Sequence, residues 1–242
     1  MSRSPSRIWL RTALPLVITG GLVMPASASA GATGSATPGV AGHKPTTLAW
    51  NVDGLAPPVL GRIPRSLVVT APGFKLDRRA VAERCSDLQA KLNECPRKSK
   101  IGTGTLTIVV HRPDRVNEVA FQVALYQAKG TRILAVTDFI GIRVIPGRLT
   151  TAGGVQLSFD PLPTPPQIPG IQITYEFKGV SVDLGAKRTV VKRVKGKRRK
   201  VRSSLVLTPK KCNGGSWAAT AALGFPDGTS LPLPTPIACT TR

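Results

Sequence analysis

Thr105-Leu106-Thr107-Ile108-Val109-Val110 is closely followed by Val119-Ala120-Phe121-Gln122-Val123-Ala124-Leu125. In the first run Leu106, Ile108 and Val110 fall on one side. In the second, Val119, Phe121, Val123 and Leu125 alternate with Ala120, Gln122 and Ala124. Successive side chains of a strand point to opposite faces, so a period of two marks a half-buried β-strand. Val155, Leu157 and Phe159 repeat the pattern against Gln156, Ser158 and Asp160. Segments 66–70, 131–138, 140–149, 188–194, 200–207 and 216–225 extend it, each rich in β-branched or aromatic residues and bounded by turn formers. Across 171–184 the apolar phase changes. Ile171, Ile173, Tyr175 and Phe177 are odd, whereas Val180, Val182 and Leu184 are even, which a bulge at Gly179 would reconcile.

Helical periodicity is confined to one place. Val81, Cys85, Leu88 and Leu92 recur at helical spacing between Asp77 and Asn93, in one or two pieces, with Asp77 as a cap. Parallel strands need a crossover helix between them, and nothing after Asn93 supplies one. The expected fold is therefore mainly β, an antiparallel β-sandwich or open barrel with one short helical region near 77–93.

Working toward the N-terminus, Arg3, Arg7 and Arg11 precede an apolar or small run from Thr12 to Met24, which ends in Pro25-Ala26-Ser27-Ala28-Ser29-Ala30. Charged start, short apolar run and small-residue exit are the parts of a secretory signal, with cleavage after Ala28 or after Ala30. Pro15, Gly20 and Gly21 interrupt the run, which falls short of the ~20 apolar residues of a membrane span. Residues 1–30 are thus expected to be a signal peptide, residues 31–47 a small, polar, flexible lead-in, and residues 48–242 a single domain. The protein is expected to be secreted or at the cell surface.

All four cysteines, Cys85, Cys95, Cys212 and Cys239, lie beyond the signal. An even count in an exported chain favours disulfides over metal. The short loops favour Cys85–Cys95 and Cys212–Cys239. An unbroken helix from Cys85 to Cys95 would hold their Cα atoms ~15 Å apart, so the first pair requires only a helical turn and a loop. There is no Cys-x-x-Cys, the chain has two histidines, and neither metal nor cofactor is expected.

Charge is the loudest feature. The whole chain carries +22; removing the three arginines of residues 1–30 leaves 31 of its 34 basic residues against 12 acidic, a formal +19. Ten basic residues and no acid lie between Lys187 and Arg202: Lys187, Arg188, Lys192, Arg193, Lys195, Lys197, Arg198, Arg199, Lys200 and Arg202. Valines interleave them and Lys195-Gly196-Lys197-Arg198 forms a turn, so the segment reads as a β-hairpin with a basic tip. The candidate polyanion-binding residues are Lys192, Arg193, Lys195, Lys197, Arg198, Arg199, Lys200 and Arg202. Outside the cell they would meet an anionic envelope polymer or lipid headgroups. The plainer alternative is that these charges keep an exposed edge from pairing with another chain. Base-specific nucleic-acid binding is disfavoured, since no aromatic residues interleave the charges for stacking.

Other motifs read as structure. Gly102 and Gly104 fit no phosphate-loop pattern and lead into a strand. Pro161 to Pro169 reads as a stiff connection, Pro226-Asp227-Gly228 as a tight turn, and Pro232, Pro234 and Pro236 as marks of an edge segment. His43 and His111 stand apart, and Ser216 in Gly214-Gly215-Ser216-Trp217 is no nucleophile elbow. An enzyme, acting as a hydrolase on envelope polymers, is the alternative to a non-catalytic domain. It would require His111 beside a carboxylate and a nucleophile.

Ala71-Pro72-Gly73-Phe74, Cys85, Cys95-Pro96-x-x-Ser99-x-Ile101-Gly102-x-Gly104, Thr208-Pro209-x-x-Cys212, Trp217, Phe225-x-Asp227-Gly228 and Cys239 together resemble a group of uncharacterised exported β-rich proteins of high-G+C actinobacteria. The resemblance implies a cysteine-stapled β domain outside the cytoplasm and carries no site residue.

Overall fold

The computed structural model describes residues 31–53, 62–138, 141–151, 153–162, 173–194 and 196–241. The expected signal peptide lies outside them, as does most of the Pro161–Pro169 connection. The N-terminal strands are β1 (Gly31–Thr37), β2 (Pro45–Asp53), β3 (Ser66–Pro72) and β4 (Lys75–Leu76). A helix, α1 (Asp87–Lys91), precedes the central strands β5 (Lys100–His111), β6 (Val116–Gln127), β7 (Arg132–Asp138), β8 (Ile142–Thr150) and β9 (Gly154–Phe159). The long β10 (Thr174–Leu184) leads to β11 (Lys187–Val194) and β12 (Lys197–Ser204). Five short strands finish the chain: β13 (Val206–Leu207), β14 (Ser216–Trp217), β15 (Thr220–Gly224), β16 (Ser230–Pro234) and β17 (Ile237–Ala238).

The main sheet runs β16-β15-β3-β9-β8-β7-β6-β5-β10-β2-β13-β4, with β1 beside β2, and its ladders are antiparallel. It curls without closing, and one apolar core fills its concave side, joining Trp50, Val69, Leu157, Phe177 and Leu223 from distant strands. The alternation that predicts the strands also places their inner faces: Ile108, Val110, Leu125, Leu157 and Phe159 are buried. The phase change in β10 is a register shift between Phe177 and Gly179 against β5. Gly102 and Gly104 are needed where β10 crosses closest, because a Cβ there would lie 2.1 Å from Asp183 O and 2.5 Å from Ser181 O respectively.

The helical region near 77–93 is two pieces. Asp77 caps a 3-10 turn at Arg78–Ala80, accepting from the Arg79 amide. Helix α1 starts at a reciprocal Ser86–Gln89 capping box. It stops after five residues because Asn93 turns into the left-handed region (φ 57°). The Asn93 and Glu94 amides then return to the Ala90 and Gln89 carbonyls, a Schellman ending. This reversal brings the Cys85 and Cys95 Cα atoms to 5.1 Å and allows their disulfide. The closed loop lays Cys85 and Ala90 over Leu134 and Val136, the outward side of β7. That cover explains why Ile133 to Thr137 is buried on both faces, unlike the half-buried strands around it. Cys212–Cys239 is the second disulfide, and no free cysteine remains. Both bonds suit an oxidising compartment.

Residues 31–47 correct the expectation of a flexible lead-in. Gly31–Thr37 pairs in full register with Thr47–Asp53, and Lys44 N donates to Thr208 Oγ1 at 2.9 Å. The small side chains are required by close packing: a Cβ on Gly34 would stand 3.0 Å from Ile237 Cγ1 and 3.1 Å from Thr235 O. Composition alone reads the same residues as a linker.

Candidate polyanion-binding hairpin

β11 and β12 pair only with each other, forming a two-stranded sheet separate from the main one. The ribbon is rooted at its base. Leu205 N donates to Ala186 O, Asp77 N donates to Leu205 O, Ser203 Oγ donates to Asp77 Oδ2 at 2.7 Å, and Ser204 Oγ donates to Thr46 O. Ser203 and Ser204 are buried, whereas Lys197, Arg198, Arg199, Lys200 and Arg202 are exposed. Gly196 takes the turn at φ 76°, a conformation open to glycine at no steric cost.

The register places Lys192 opposite Arg199 and Arg193 opposite Arg198. Like charges directly opposite each other weaken a ladder, and no acid lies in the ribbon to offset them. Among the described residues, Lys197, Arg198, Arg199, Lys200 and Arg202 make no ion pair. Along β12 the basic residues occupy both alternating sets, Lys197 and Arg199 in one and Arg198, Lys200 and Arg202 in the other, so both faces of the ribbon carry cations. Lys195 lies outside the described residues, as do the side chains of Lys192 and Arg193. The arrangement is an exposed ribbon with cations on both faces, able to neutralise closely spaced anions.

The catalytic alternative gains one contact. His111 Nε2 stands 3.3 Å from Glu176 Oε2, without the alignment of a hydrogen bond. The pair is on the outer face, since Glu176 sits opposite Val109 and in alternation with the inward Tyr175 and Phe177. Among the described residues, no hydroxyl or thiol hydrogen-bonds to His111 to complete a nucleophilic set. On the concave face, Thr137 is 4 % exposed and its hydroxyl lacks a hydrogen-bond partner, a feature that no local sequence pattern marks. The strand 131–138 was legible; the burial of Thr137 depends on which strands pair beside it.

No family model and no curated protein matches the chain. A solved structure of AvmM, a protein described as catalysing macrocyclization in alchivemycin A biosynthesis, is 11 % identical over 89 % of this chain and 92 % of that chain, with a TM-score of 0.24.

Proposed function

We propose that this chain is an exported, non-catalytic β domain of the cell envelope that docks on an anionic polymer or on lipid headgroups through β11–β12. The observation that carries the reading is the ribbon itself: Lys197, Arg198, Arg199, Lys200 and Arg202 are exposed on a ladder that lies outside the main sheet. An anionic surface neutralises this run of cations and releases counterions, which favours binding at low salt. The signal-like residues 1–30 and the two disulfides support an extracytoplasmic setting. The actinobacterial resemblance belongs to the same proposal.

The test is retention of the purified protein on isolated cell envelope across a salt gradient. Wild type is expected to bind at low salt and elute as salt rises. The combined Lys197→Ala, Arg198→Ala, Arg199→Ala and Lys200→Ala variant is expected to elute much earlier. Equal retention of wild type and variant would refute the proposal and leave the ribbon's charges as protection of an exposed edge.

A further inference from the structure

The cationic surface does not end at the base of the ribbon. Both strands of the ribbon lie against the 3-10 turn Arg78–Ala80, which comes far earlier in the chain. Asp77, the cap of that turn, joins the two. Its carboxylate accepts from the Ser203 hydroxyl at 2.7 Å and from the Arg79 amide at 3.1 Å. Arg78 and Arg79 are exposed, and neither side chain makes an ion pair among the described residues. With Leu76, Asp77 and Thr151 they line an open recess of about 640 Å³. Asp77 is the one acid on that lining, and its carboxylate is already engaged.

Register decides which cations look toward this turn. Ser203 reaches Asp77, so Lys197 and Arg199, at even spacing from it along β12, share that side of the ribbon. Arg188 lies directly opposite Ser203 and takes the same side. Lys197, Arg199, Arg188, Arg79 and Arg78 thus form one cationic track. It covers about 20 Å from Lys197 to Ser203 at the rise of a strand. Most of its members are arginines, whose planar fork suits phosphate oxygens. The other side of the ribbon carries Arg198, Lys200 and Arg202. A flat bilayer can neutralise only one side of such a ribbon, whereas a flexible chain can follow one side and wrap to the other.

We infer that the partner is a linear phosphate-bearing polyanion, which runs along the ribbon and seats a phosphate at Arg78 and Arg79 in the recess at its root. Resting on the role proposed above for the ribbon, this site adds two arginines to it and selects a polymer over lipid headgroups.

The experiment is binding of the purified protein to long-chain polyphosphate, to tripolyphosphate, and to vesicles of equimolar phosphatidylcholine and phosphatidylglycerol, each across a salt series. Per phosphate, the long chain is expected to bind about tenfold tighter than either alternative at low salt. Arg78→Gln combined with Arg79→Gln is expected to weaken long-chain binding about tenfold and to reduce the slope of log affinity against log salt by about 1.5. Its melting temperature should match wild type, because both side chains are exposed and unpaired. Unchanged affinity and slope in that variant would overturn the inference, as would vesicle binding equal to that of the long chain. The two readings fail separately. Full envelope retention by the Lys197→Ala, Arg198→Ala, Arg199→Ala and Lys200→Ala variant refutes the ribbon itself. Loss of retention there, with wild-type polyphosphate binding by the Arg78→Gln and Arg79→Gln variant, refutes only the recess.

Discussion

The chain builds two antiparallel hairpins near its C-terminal end by opposite means. β15–β16 is part of the main sheet: β15 also pairs with β3, and Ala221, Leu223 and Leu233 face the core. Its turn is closed by Gly228 N to Phe225 O and Phe225 N to Thr229 O hydrogen bonds. Arg62 lies over the Phe225 ring at 4.2 Å and pairs with Asp227. β11–β12 has a longer ladder but leaves Val191 62 % exposed and carries a row of exposed cations along β12. Ladder length therefore does not decide which hairpin is firmly held. Burial fixes the first, whereas the second is tied down at its root.

This contrast can be broken at several points. Leu223→Ala removes a fully buried side chain and should destabilise the protein by about 2–5 kcal/mol in denaturant unfolding. Val191→Ala on the ribbon should stay within about 0.5 kcal/mol of wild type. Comparable losses from the two would end the distinction between buried and self-supporting hairpins.

A charge reversal on the ribbon probes its ladder directly. Arg199→Glu turns the Lys192–Arg199 position into an opposite-charge pair. It should stabilise the ribbon by about 0.2–1 kcal/mol, seen as slower amide hydrogen exchange confined to β11 and β12. The same variant should bind envelope more weakly. Faster exchange in the ribbon would show that repulsion across this pair is not what limits it.

The smallest effect belongs to the β15–β16 turn. The Asp227 carboxyl accepts from the Thr229 hydroxyl and amide, which with Arg62 hold it below the usual carboxylate range. A lowered folded-state pKa contributes stability that is complete above the ordinary carboxylate pKa and lost as pH falls through the folded value. The melting temperature of Asp227→Asn should therefore lie slightly below wild type at pH 6 and converge with it below about pH 4. A difference that grows on acidification would contradict this.

Much of the architecture is legible along the chain because alternation is local. Leu106, Ile108 and Val110 declare an inner face whatever strand lies beside them, and the Phe177-to-Gly179 phase change announces its bulge. The disulfide pairs are legible for a similar reason, since short loops close readily. The candidate ribbon is visible as a charge run, but its separation from the main sheet is not. Residues 31–37 mislead because small side chains serve equally for a loose linker and for a strand pressed against Ile237.

Sequence by itself determined the strand periodicity, the loop-closing cysteines and the density of cations between Lys187 and Arg202. Tertiary structure alone decided that β1 is a strand, that α1 covers β7, and that Thr137 faces an apolar cleft beneath Leu106 and Phe177. The physical reason is the range of the interactions. Periodicity and charge belong to neighbouring residues, whereas a concave face exists only after β3, β5, β8 and β10, far apart in the chain, have curled around the same space.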